Sequence, residues 1–91
     1  MKFTVWHAIK PNFGFGVSPE FNEQNYQRVA IVESPSVDEV FRITNHIDQS
    51  WTKNPEVIKF VGQPRSTSVG DVVVAETGTT YRCEMAGWSK I

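Results

Sequence analysis

The residues of this chain able to act as nucleophile, base or metal ligand are few and widely spaced. Two histidines, His7 and His46, and a single cysteine, Cys83, carry that chemistry. A nucleophilic site needs Ser or Cys held against His, with a third group orienting the base, and no local pattern supplies this. His7 falls in a stretch that reads as strand, and His46 near a helix end, where a cation favours the dipole. A structural or surface role fits both. Cys83, on the apolar face of an expected strand, reads as a small buried core residue. The three together lack the ligand spacing of a metal site. Phe13-Gly14-Phe15-Gly16 resembles a phosphate loop only superficially. It lacks the further glycines, the following helix and the Lys-Ser/Thr pair that such loops use. No catalytic residue, no metal and no cofactor are therefore expected.

The densest signal is Arg65-Ser66-Thr67-Ser68-Val69-Gly70-Asp71, running into Val72-Val73-Val74. Hydroxyls bond nearby amides, and Gly-Asp lets the backbone bend sharply, so this stretch reads first as a loop-to-strand corner. A second reading makes it functional. Arg65, with Lys53 and Lys59, forms a basic edge beside Trp51 and Phe60, and Ser66 and Ser68 complete a candidate interaction surface. Aromatic and basic groups together stack on and neutralise single-stranded nucleic acid, or anchor a protein partner.

Those residues must be positioned by a small fold. Ninety-one residues fill one domain, and 40% apolar residues with three Trp and six Phe suffice for a core without disulfide or metal. Nine Lys and Arg against ten Asp and Glu leave a net charge of -1, which lacks the basic excess of a general nucleic-acid binder. A single cysteine precludes an intrachain disulfide and fits a reducing compartment. No apolar run approaches the roughly 18 residues of a membrane span. The N-terminus has no signal-peptide pattern. A cytoplasmic protein away from the membrane is expected.

Residues 3–9 read as a first strand. Ser18 and Pro19 suit the cap and first position of a helical turn over 20–25. Residues 26–33 read as a second strand, whose Val29-Ala30-Ile31-Val32 run suits cover on both faces. Ser36-Val37-Asp38-Glu39 is a capping-box pattern that opens a helix over 37–49, with Val37, Val40, Phe41, Thr44, Ile47 and then Trp51 as its apolar stripe. Asp38 and Arg42 stand four apart and suit an ion pair. Phe41→Ala is then expected to cost about 3–5 kcal/mol by cavity formation. A long connection over 51–68 holds a short strand at 57–61. Residues 69–76 and 79–85 form a hairpin around Thr77-Gly78, with Tyr81, Cys83 and Met85 on its buried face. Gly87-Trp88 begins a last strand. The result is an α+β single domain in the order β-β-α-(β)-β-β, a mostly antiparallel sheet packed against one main helix.

The order Tyr26…Val29-Ala30-Ile31-Val32, Ser36-Val37-Asp38-Glu39-Val40-Phe41, Thr44-Asn45, then Arg65 to Val74 and Tyr81…Gly87-Trp88…Ile91 resembles the YodL-like family. It is also similar to small proteins of phages, plasmids and mobile elements. The resemblance spans residues 26–91, with Gly70 where relatives are expected to carry Ser, and residues 1–25 have no counterpart. It implies fold and genomic context but no activity to carry onto residues. The expected function is an accessory protein acting by protein–protein interaction, with inhibition of a host defence as one form of it. The alternative is a small nucleic-acid-binding module. An exposed aromatic edge is also compatible with a homodimer.

Overall fold

The computed structural model describes residues 1–12, 16–45 and 50–91. The β-branched and aromatic stretches extend as strands: β1 (Lys2–Ala8), β2 (Tyr26–Glu33), β3 (Val57–Phe60), β4 (Val72–Ala75), β5 (Thr80–Glu84) and β6 (Gly87–Lys90). They form one antiparallel sheet in the order β3-β2-β1-β4-β5-β6. One helix, α1 (Val37–Thr44), and a 3-10 turn, Trp51–Lys53, lie between β2 and β3. The α+β architecture matches the expected order: the short strand expected within 57–61 forms as β3, and the last strand expected from Gly87 forms as β6. Among the described residues no helix is long and apolar enough to cross a membrane.

Residues opposite one another on paired strands share a face, so the register defines rows across the sheet. One row runs Phe60–Ala30–Val5–Val73–Tyr81–Lys90 across all six strands, and Val57–Val32–Phe3–Ala75 lies beside it. This face meets α1 and Trp51, and buries Phe3, Val5, Val32, Val40, Ile43 and Val73 together. On the other face, Arg28–Trp6–Val72–Arg82 forms one row and Lys59–Ile31–Thr4–Val74–Thr80 the next. Cover on that side is partial. Phe21 packs edge-on against Trp6 and Tyr26 at centroid distances of 5.5 and 5.3 Å, and Ala8, Tyr26 and Val72 are buried beneath. In the apolar run of β2, Val29, Ala30 and Val32 are buried in the α1-side core, while Ile31, on the other face, is only half-buried, so the expected cover on both faces is incomplete.

Ser36 caps α1 by accepting from the Glu39 amide at 3.4 Å. The reverse half of the box is made differently: the Ser36 amide donates to Ser34 Oγ, and Glu39 pairs with Arg42. Arg42 also reaches Glu56 at 3.5 Å, so Asp38 is not its partner. The helix ends at Thr44, with Asn45 extended. The expected continuation through Ile47 and Gln49, with His46, lies outside the described residues, as does most of the Phe13-Gly14-Phe15-Gly16 loop.

The stripe is rotated from expectation. Val40, Ile43 and Thr44 are buried, whereas Phe41 is 37% exposed. The loss expected for Phe41→Ala therefore transfers to Ile43, because only a fully enclosed side chain leaves a cavity behind. A 3.6-residue period admits either flank of the stripe, and tertiary packing chose Ile43. Met85 is a second correction: it sits in the β5–β6 turn, 82% exposed, although Cys83 and half-buried Tyr81 face inward as expected. Residues 20–25 form a turn rather than a helix. Asn22 Oδ1 accepts from the Gln24 and Asn25 amides, each at 3.0 Å, the side-chain mimicry that lets Asn close turns.

Candidate functional site

The Arg65–Asp71 stretch folds inward. Asp71 is fully buried, and its carboxylate accepts from both terminal nitrogens of Arg65 at 2.7 and 2.9 Å, a bidentate pair. The Ala8 amide and the Ser68 amide donate to the same carboxylate, each at 2.8 Å. Arg65 further donates to the carbonyls of Ala8 and Ser66. These side chains and backbone groups tie the end of β1 to the start of β4. Gly70 makes the corner possible: its φ of +96° belongs to the left-handed region that favours glycine, and a Cβ there would meet Ser18 Oγ at 3.4 Å. A serine at this position would be strained. The Tyr26 hydroxyl closes the corner from below by donating to the Gly70 carbonyl at 2.7 Å.

His7 and Thr67 belong to the same cluster, both buried, with His7 Nε2 2.9 Å from the Thr67 hydroxyl. Burial lowers the imidazole pKa to about 4, against the partial opposition of Asp71 and with added lowering from Arg65. His7 is therefore neutral near pH 7, and its 3.9 Å approach to Asp71 is not an ion pair. Cys83 follows the opposite sign, its thiol pushed up to about 12 by burial and by the nearby Asp71 and Glu84 carboxylates. A thiol protonated at neutral pH is a core group rather than a nucleophile.

The seven residues of the expected surface consequently separate. Trp51 is buried at 1% exposure, its indole N–H donating to the Arg65 carbonyl at 2.8 Å. Arg65 turns to Asp71, and Ser66 and Ser68 are half-buried in the corner. Trp51 and Arg65 therefore do not share an open edge with the rest: burying the large indole and satisfying Asp71 outweigh leaving either in solvent. Lys53, Lys59 and Phe60 remain exposed.

Lys59 and Phe60 lie on β3, an outer strand of the sheet. Ile58, Phe60 and Val61 are each about half exposed, at 54, 47 and 55%. Phe60 and Val61, together with Arg28, Ile31 and Lys59, line a shallow hollow of about 200 Å³. The register slips between Ile31 and Val32, where Val57 pairs with Val32 and Lys59 with Ile31, so Ile58 is the extra residue of a bulge. Arg28, Ile58 and Val61 were not singled out from the sequence. The signal for Ile58 and Val61 was an apolar cluster, IKFV, in a segment long enough to reach the sheet edge.

The chain matches no family model, no curated protein and no solved structure.

Proposed function

We propose that this domain is a non-enzymatic protein-binding module whose contact surface is the β3 edge. The observation that carries the reading is the contiguous exposure of Ile58, Phe60 and Val61 beside Arg28 and Lys59. Exposed apolar groups rimmed by charge are the usual composition of a contact patch, and Phe and Arg are enriched at interfaces. The resemblance to YodL-like proteins adds the context of an accessory protein of a phage or mobile element, with inhibition of a host defence as its sharpest form. Affinity capture from lysate of the source organism tests the reading, run with wild type and Phe60→Ser, with and without nuclease. A specific protein retained in both wild-type samples and lost with Phe60→Ser is the expected result. Equal retention by the variant sinks it.

A second reading is a single-stranded nucleic-acid surface, favoured by Phe60 lying beside two cations. Aromatic stacking next to basic groups is how such strands are held. Capture that disappears with nuclease and weakens steeply with salt would establish it.

A further inference from the structure

We infer that the β3 edge accepts an extended acidic segment of a partner protein, added antiparallel or parallel as a seventh strand. This rests on the protein-binding reading and names the partner's chemistry. Two observations converge on it.

The first is the open backbone. The Val61 amide donates to the Val29 carbonyl at 2.9 Å, and groups alternate in direction along a strand. The Phe60 N–H therefore points away from β2, toward the side of β3 that no strand covers. An outer strand presents such groups as a template for another chain. An added strand would satisfy them and lay alternate side chains against Phe60 on one face and against Lys59 on the other.

The second is charge. Arg28 and Lys59 flank the hollow, and neither has an ion-pair partner among the described residues. Glu33 is engaged with the Met1 ammonium and Glu56 with Arg42, and Glu23, which lines a separate hollow together with Arg28, makes no ion pair with it. Two free cations beside exposed apolar groups fit a segment in which acidic residues alternate with apolar ones. The same features argue against a second copy of this chain. Pairing β3 with β3 would bring Lys59 and Arg28 toward their own counterparts, and like charges opposed across a strand pair are destabilising.

The test uses the whole 15N-labelled domain and two synthetic octapeptides, one alternating Val with Glu and the other Val with Lys. Amide hydrogen exchange is followed residue by residue with each. The Val-Glu peptide is expected to slow exchange at Phe60 by roughly tenfold or more, while the Val-Lys peptide leaves it unchanged. In an Arg28→Glu/Lys59→Glu double variant, with its thermal unfolding checked against wild type, the preference should reverse. Equal slowing by both peptides, or slowing confined to residues off β3, overturns the proposal. No slowing at Phe60, in a protein whose captured partner is still lost with Phe60→Ser, overturns strand addition but leaves the protein-binding reading standing. Failure of both sinks the two together.

Discussion

The Arg65–Asp71 corner and the β3 edge each place basic side chains beside aromatic or apolar ones, but they spend charge in opposite ways. In the corner, Asp71 is fully enclosed and meets a bidentate guanidinium and two backbone amides. At the edge, Arg28 and Lys59 stand in solvent on one face of the sheet and half-exposed Phe60 lies on the other, with Ile58 and Val61 half exposed along the same strand end. A buried charge is tolerated only when its hydrogen-bonding capacity is filled from within, so the corner has nothing left to offer a ligand. At the edge, the exposed Arg28 and Lys59 side chains have no carboxylate partner among the described residues, so their charges remain available. Residue type alone does not separate structural from binding cations; the location of a counter-charge does.

The largest expected effect lies in the corner. Asp71→Ala strips Arg65, the Ala8 amide and the Ser68 amide of their acceptor at once, and should cost about 3–5 kcal/mol, read by urea unfolding. A loss under about 1 kcal/mol would mean that water replaces the carboxylate and the corner is not sealed. The next effect is set by pH. Folded His7 has a pKa of about 4 against 6.5 for the free side chain, so the unfolded chain takes up a proton first as pH falls. The stabilisation is complete above about pH 6.5, declines from there to about pH 4 and is then exhausted, a total of about 3 kcal/mol. His7→Gln should flatten that part of the stability profile, and an unchanged slope would place the titration elsewhere. The smallest effect belongs to the edge. Lys59→Glu should alter stability by no more than about 0.5 kcal/mol. A larger change would show that the edge serves the fold, and would erase the contrast with the corner.

Much of the architecture was legible in local pattern. The Tyr26–Glu33 strand, the Ser36 cap and the Thr77-Gly78 hairpin rest on near-neighbour chemistry, and each formed where its residues indicate. The candidate surface was only partly legible. Lys53, Lys59 and Phe60 are exposed, while Trp51 and Arg65 are not, because their fates depend on groups far away in sequence. Trp51 is held by a carbonyl fourteen positions on, and the Asp71 that claims Arg65 is itself fixed by the Ala8 amide at the other end of the chain. The choice of Ile43 over Phe41 has the same origin, since helical period defines a stripe but not which flank meets the sheet.

The sequence by itself determined the class of fold, the spans of most elements and the poverty of reactive groups, all of which follow from composition, capping and alternation over a few residues. Tertiary structure alone decided the strand order, which leaves β3 on the outside, and the pairing of Arg65 with Asp71. The strand order is a long-range choice, and the Arg65–Asp71 pair, though only six positions apart, is enclosed by the Ala8 amide from β1 on the same carboxylate. Both are settled by burying the most apolar surface while leaving no enclosed charge without a partner.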